Sequence, residues 1–396
     1  MFEKKRYLFL LLVFLGIITF VPRLYRFDNP IADWHSWRQA DTSSVTRNFV
    51  KEGYTPFYPK FDTLNSLNEL NLDNPKRYFF AELPIYNTLQ YAGYVYIGQV
   101  TLEEWGRLIS ILAATFTTVI LFLLVAQYSS QRVALFAAVL YAILPFNIYY
   151  GRVILADPLH IFFSVFALYL VTLWIRYNNI FLAILAGVVF GGALLTKPYA
   201  LVLFLPIGYL LFRAWGFGIV KKIAIYLFVV LALVPFLLWR WHINNYPEGM
   251  FGTLWLYNQG GIRFTGAYFR WLIFDRMNRL IFATGGFVLF WLGVIRGSEK
   301  KEGYFYYLWL AAILVFFVVI ARGNVTHDYY QMPLVPIGCI FMAKGIDFLL
   351  SLGNTKFQRG LNAGVAVILV LLLLAFGWFE VRGYFNINNP AIVAAG

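Results

Sequence analysis

Apolar residues fall in unbroken runs along this chain, not in stripes. Stretches such as LFLLLVFLGIITFV and VILVLLLLAFGW carry no charge at all. A run apolar on every side and close to ~20 residues long is what a bilayer-crossing helix needs. Eleven such segments are read, at 7–22, 105–127, 132–150, 156–175, 180–196, 199–213, 223–240, 281–296, 304–321, 330–350 and 361–380. A membrane barrel would show shorter alternating segments instead. The predicted class is an all-α polytopic membrane protein. Pro198 stands at the threshold of the short segment 199–213, and Pro206 is placed to kink it. The N-terminal run resembles a signal peptide, but no small-residue cleavage site follows it, so it reads as an uncleaved first span.

One soluble stretch is long. Residues 23–104 separate the first two spans and include the turn-rich text KFDTLNSLNELNLDNPKRY. The aromatic, amphipathic piece FFAELPIYNTLQYAGYVYIGQV follows and is expected to lie along the membrane interface. The organisation is a single membrane domain, 1–396, made of this loop, a bundle over 105–380 and a tail over 381–396. No internal repeat or low-complexity segment occurs.

Basic residues in short loops orient the bundle. With the N-terminus in the cytoplasm, the inner side receives Lys4, Lys5, Arg6, Arg132, Arg176, Arg213, Lys221, Lys222, Arg296, Lys300, Lys301, Lys356 and Arg359. Arg263, Arg270, Arg276 and Arg279 fall in an outer loop and run against this trend; they are read as site or surface residues. Composition adds little to the picture. Charged residues make up 13% against about 25% in soluble domains. The net charge of +13 sits largely in the loops that set orientation, so it does not point to nucleic acid. The single cysteine, Cys339, lies in an apolar run and leaves the redox compartment unreadable.

Orientation sorts the candidate chemistry. Trp34, Trp37, Arg38 and Asp41 in DWHSWRQADTSSVTRNF, Glu82 in AELPIY, Arg152 and Asp157 in YYGRVILADPLH, Lys197 in LLTKPYA, and His327, Asp328, Tyr329 and Tyr330 in NVTHDYYQMP all fall at the outer ends of spans. Ionisable groups at membrane depth are costly and tend to be functional. Each also fits a plain structural role. Asp41 suits a helix cap, and Glu82 a solvated loop. Asp157 before Pro158 suits the N-cap of the fourth span. Lys197 suits snorkelling to the interface, His327 an ordinary loop position, and Arg38 and Arg152 pairing with lipid headgroups. Their shared side is the stronger signal. A carboxylate there can take a proton from an acceptor hydroxyl or amine, and cations can neutralise a leaving phosphate. That combination suits a lipid-phosphate sugar donor. No Gly-rich phosphate loop in a strand–loop–helix setting, no HExxH, no CxxC and no nucleophile elbow is present.

These segments, in this order, resemble the membrane-embedded glycosyltransferases of the GT-C superfamily, and in particular glycosyltransferase family 39. That family includes protein O-mannosyltransferases and is close to the aminoarabinose transferases of lipid A. RLISIL, YYGRVILADPLHIFF, GGALLTKPYALVLFLP, HDYYQMPLVP and HSWRQADT carry the resemblance. It implies a GT-C-like bundle of about eleven helices, interfacial helices in the first outer loop, and a cavity open to the outside and to lipid. It implies a polyprenyl-phosphate sugar donor, undecaprenyl phosphate in a bacterial inner membrane, and inverting transfer to an acceptor that is a protein, a lipid or a glycan. Many relatives carry an Asp-Glu pair in the first outer loop; RQADTS has Asp41 with no adjacent Glu. Asp41 is the best match to the catalytic carboxylate, with Glu82 a second candidate particular to this chain. Arg152, Lys197, His327 and Tyr330 match the donor phosphate, and Trp37, Arg38 and Asp157 line the substrate site. No cofactor is expected, although Asp41 and Asp157 also resemble acidic motifs that hold a divalent cation elsewhere in the superfamily. A flippase for lipid-linked sugars and a non-catalytic membrane scaffold are the competing readings. All of the site assignments require Asp41 and Lys197 to sit at the same end of the bundle.

Overall fold

The computed structural model describes residues 2–63, 71–387 and 390. Part of the turn-rich text after Lys60, and most of the tail after 381, lie outside the described residues. So do the side chains of Lys4 and Lys5.

The chain runs as α1 (Phe2–Arg23), α2 (Ser36–Glu52), α3 (Ile85–Ala92), α4 (Leu102–Tyr128), α5 (Gln131–Ile143), α6 (Pro145–Tyr150), α7 (Asp157–Tyr177), α8 (Ile180–Thr196), α9 (Phe204–Trp215), α10 (Ile223–Ile243), α11 (Leu254–Asn258), α12 (Gly266–Arg270), α13 (Gly285–Ile295), α14 (Phe305–Val319), α15 (Ala321–Thr326), α16 (Leu334–Ser351) and α17 (Lys356–Val381). The class is all-α and the protein is an integral membrane protein. Seven helical stretches among the described residues are long and apolar enough to cross a membrane. The bent pair Gly266–Ile281 with Gly285–Ile295 makes an eighth candidate, and α5, α8 and α14 are shorter apolar helices. Each segment read as a span carries a helix.

Local chemistry explains the boundaries. Thr101 caps α4: its hydroxyl accepts from the Glu104 amide at 3.2 Å, and the Glu104 carboxylate accepts from the Thr101 amide at 2.7 Å. The predicted span 132–150 is two helices. Pro145 has no N–H to give, and the residue before a proline is pushed out of the helical region; Leu144 sits at ψ 118°. Pro198 opens a 3-10 stretch, Pro198–Leu203, ahead of α9. Pro206 then falls in the first turn of α9, where a missing N–H costs nothing, so the break is at Pro198. The predicted segment 281–296 is also altered. α12 continues as a π-helix over Trp271–Ile281, and the chain then bends by 114° into α13. Ala283 and Thr284 make that corner in left-handed backbone, φ 46° and 51°.

α16 is buried over most of its length and packs against α5, α13, α14 and α17. Gly293 of α13 and Gly345 of α16 make the crossing tight. A Cβ at either would fall on a backbone carbonyl of the other helix, Phe341 and Leu289 respectively. Close approach through small residues is how helices pack where no hydrophobic force separates helix from lipid. α1, α10 and α17 leave most of their apolar surface exposed, as lipid-facing helices do. At the end of the bundle holding Arg132 and Arg296, charges are paired: Lys344 lies 2.5 Å from Glu302, both buried, and Arg132 lies 2.6 Å from Asp347. The remaining candidates lie at the other end, and the long loop with α2 and α3 folds over it.

Candidate active site

Four distant segments meet at that end. The loop before α3 is pinned to the end of α8 by the Leu83 amide, which donates to the Leu195 carbonyl at 3.1 Å. This sets Glu82 beside Lys197. Arg38, in the first turn of α2, donates to both oxygens of Glu82 at 3.2 and 3.3 Å. Lys197 stands 3.8 Å from Glu82 and 3.4 Å from Asp157. The Tyr199 hydroxyl donates to the other Asp157 oxygen at 3.0 Å. Arg38, Glu82, Lys197 and Asp157 thus form one alternating chain of charge. Tyr330 lies alongside, its ring 6.2 Å from that of Tyr199.

Asp41 follows Arg38 by about one turn of α2. It is partly buried, which raises its carboxyl above the ordinary value, with Arg38 pulling the other way. α2 begins at Ser36, so Asp41 lies inside the helix and caps nothing. Asp157 is likewise the first helical residue of α7 and makes no cap bond; Lys197 and Tyr199 take its oxygens instead. Lys197 is buried among its partners and does not snorkel. Glu82 is paired rather than solvated.

A second hub adjoins the first. Asp328 is buried and receives hydrogen bonds from four side chains: His35 and Tyr150 at 2.5 Å, Tyr384 at 2.9 Å and Trp34 at 3.1 Å. Arg276 stands 3.8 Å away. Burial alone would raise this carboxyl; the His35 bond and charge, the Tyr150 hydroxyl and Arg276 together hold it below the usual carboxylate range. His35 itself sits in left-handed backbone, φ 57°, which costs a non-glycine residue about 1 kcal/mol or more. The Asp328 pairing holds it there. His327, next in line, is pushed down to about 4 by burial and by the positive charge of His35.

Arg152 is placed elsewhere. It is fully buried, 3.6 Å from Asp33, donates to the Arg26 carbonyl at 2.8 Å and lies over the ring of Phe385. These contacts lie in the packing between the exit of α1 and the turn after α17, not with Lys197. Trp37 is half exposed beside Arg38.

Among the described residues, no three His, Cys, Asp or Glu side chains gather closely enough to hold a metal ion. The oxygens of Asp157 are already engaged by Tyr199 and Lys197, and Asp41 has Arg38 beside it.

Sequence reasoning missed Tyr199, Tyr150, Tyr384 and Trp255; Arg276, read there as a site or surface residue, stands at the Asp328 hub. The HDYY text placed Asp328 at this end, but nothing in the sequence marks it as a hub, because its partners come from four other segments. Tyr199 was within reach, two residues beyond Lys197 and after a proline that turns the chain.

The chain matches the family model described as dolichyl-phosphate-mannose-protein mannosyltransferase over residues 91–241. No curated protein sequence matches it. Its fold is that of solved archaeal oligosaccharyltransferases from Archaeoglobus fulgidus. The AglB enzyme in complex with an inhibitory peptide and a dolichol-phosphate is 12% identical, with a TM-score of 0.60 over 97% of this chain. The apo form of the Archaeoglobus enzyme gives 13% and 0.61 over 96%. Its complex with zinc and sulfate gives 14% and 0.59 over 93%. This chain spans only 52–56% of the length of those structures. The resemblance to GT-C superfamily membrane glycosyltransferases read from the sequence therefore stands, in family model and in fold alike.

Proposed function

We propose that this chain transfers a sugar from a polyprenyl-phosphate-linked donor to an acceptor at the outer face of the membrane, with inversion at the anomeric carbon. The observation that carries the reading is the Arg38–Glu82–Lys197–Asp157 chain, with Asp41 beside it, at one rim of the bundle. Carboxylates and cations from four segments are held there.

Asp41 acts as general base. Its carboxylate takes the proton of the acceptor hydroxyl or amine as that atom attacks the anomeric carbon. The bond from that carbon to the phosphate oxygen breaks, and its electron pair leaves with the lipid phosphate. Arg38 and Lys197 face the charge that grows on the phosphate, where preorganised cations act most strongly. Tyr330 and the neutral His327 supply hydrogen bonds. Glu82 and Asp157 orient the two cations, each already shared between partners. One displacement inverts the centre. Lys197 supplies the positive charge between two carboxylates, so no divalent ion enters the scheme. The donor carrier is undecaprenyl phosphate if the membrane is a bacterial inner membrane. The acceptor is a protein, lipid or glycan hydroxyl or amine.

Native mass spectrometry of the detergent-purified protein tests this directly. The expected result is a co-purifying adduct with the mass of a polyprenyl phosphate or its glycosyl ester, displaced by added undecaprenyl phosphate. A protein that carries only bilayer phospholipid, and does not exchange it for undecaprenyl phosphate, sinks the reading.

A further inference from the structure

A groove of about 310 Å³ opens on the flank of the bundle, in the half away from the candidate site. Its lining is apolar: Phe136 and Leu140 on α5, Ala363 and Val370 on α17, Ile346 and Leu350 on α16. α16 packs on both neighbours and so floors the groove. The gap exists because α17 leans. Near the site end of α17, a Cβ on Gly377 would meet the Pro145 ring of α6 at 3.0 Å. Towards the far end, at Gly360 and Gly364, nothing stands within 4 Å of where a side chain would begin.

The mouth of this groove is basic. Arg132 precedes Phe136 by four residues on α5, and Arg359 precedes Ala363 by four on α17, the spacing that keeps residues on one helical face. Lys356 lies a turn earlier on the same helix. Arg132 pairs with Asp347 at 2.6 Å, but Asp347 is shared with Arg296, and the Arg132 side chain stays 55% exposed. Arg359 donates to the Gly353 carbonyl at 3.2 Å. Among the described residues no carboxylate pairs with Lys356 or Arg359. Three cations therefore face one carboxylate that is already shared.

The acyl chain of any bilayer lipid suits an apolar groove. The surplus of positive charge at its mouth favours a headgroup that is net negative, as basic pockets between membrane helices do. We infer that the groove between α5 and α17 binds an anionic glycerophospholipid, its acyl chain against Ala363 and Val370 and its phosphate held by Arg132, Lys356 and Arg359. The site lies at the opposite end of the bundle from Asp41 and Lys197 and stands apart from the donor reading. A helix of a second copy is the rival occupant, since Gly360 and Gly364 have the spacing at which helices pair closely in lipid. Two copies share one orientation in a membrane. The partner's α17 would therefore bring its own basic end to the same level, where like charges repel.

The test is native mass spectrometry of the full-length protein in detergent, titrated with phosphatidylglycerol and with phosphatidylcholine of the same acyl chains. The first phosphatidylglycerol should bind about tenfold tighter than phosphatidylcholine. Lys356→Gln with Arg359→Gln, both at exposed positions, should erase that preference and leave phosphatidylcholine binding unchanged. Ala363→Phe, which fills the groove, should weaken the first binding step for both lipids. It should also remove the rise in melting temperature that phosphatidylglycerol gives the wild type. Melting of each variant without lipid, close to that of the wild type, shows that it is folded. Equal binding of the two lipids, or a preference that the double variant keeps, overturns the site. So does a dimer that Gly364→Leu splits, because the groove then belongs to a second copy.

Discussion

Lys197, at the end of α8, and Asp157, at the start of α7, stand 3.4 Å apart with little of either side chain exposed. Lys197 is the only described side chain that bridges Glu82 and Asp157. Removing one partner of a buried ion pair leaves the other charge stranded, at a cost of about 3–5 kcal/mol. Lys197→Met should therefore lower the thermal midpoint of the detergent-solubilised protein sharply. Lys197→Met with Asp157→Asn should restore much of it without restoring transfer. If the single variant melts like the wild type, the pair is not a buried one in the working protein.

Asp41 is assigned chemistry and no structural pairing beyond the charge of Arg38. Asp41→Asn should lower transfer by about 10²–10⁴-fold, the usual span for a general base, with carrier affinity and melting temperature close to wild type. A flippase would keep moving lipid in this variant, and a scaffold would show no change at all.

The same residue sets a pH profile. Burial raises the Asp41 carboxyl, so it loses its base form at a higher pH than a free Asp would. The rate should fall on the acid side with a midpoint above about 4, the ordinary carboxylate value. A rate that stays flat down to that pH removes Asp41 from the base role.

Asp328 titrates in the opposite sense. Its folded carboxyl is held below the ordinary range, so its contribution to stability is complete above about pH 4 and fades as pH falls through and below that value. At neutral pH, Asp328→Ala should cost about 3–5 kcal/mol, because His35, Tyr150, Trp34 and Tyr384 lose their acceptor together. The gap between wild type and variant should narrow on acidification. A gap that widens in acid would falsify the pairing.

Gly345→Ala tests the crossing of α13 and α16. The added methyl meets the Leu289 carbonyl, a backbone atom that cannot swing away, and overpacking of this kind costs about 1–3 kcal/mol or more. Gly208→Ala, where nothing lies near, serves as the control and should be neutral or slightly stabilising. Equal melting of the two variants would mean that the helices stand further apart.

The bundle was largely legible in the sequence because lipid imposes a simple rule. Uninterrupted apolar runs of spanning length have few other uses, so α4, α7, α8 and α17 lie where the runs predict them. What the runs hide is where a helix breaks. Pro145 splits a predicted span, and the corner at Ala283–Thr284 turns another through a right angle and more, with no glycine at either residue to announce it. The site was legible by side only. Charge bias put Asp41, Glu82, Asp157 and Lys197 at one end, and they do gather there. The same argument put Arg152 among them, although its contacts lie deeper, with Asp33 and Phe385. Sidedness says which rim a residue occupies but not how far it lies from the centre. The Asp328 hub was invisible for a related reason: four of its partners are Tyr, Trp and His in a chain that is 20% aromatic, so no one of them stands out.

Tyr384 lies just beyond α17, yet its hydroxyl helps to hold Asp328. The hub therefore cannot close until α17 has been threaded through the bilayer. During synthesis Trp34 and His35 are made long before that moment. The nascent chain thus carries an unfinished set of hydrogen bonds through most of its assembly.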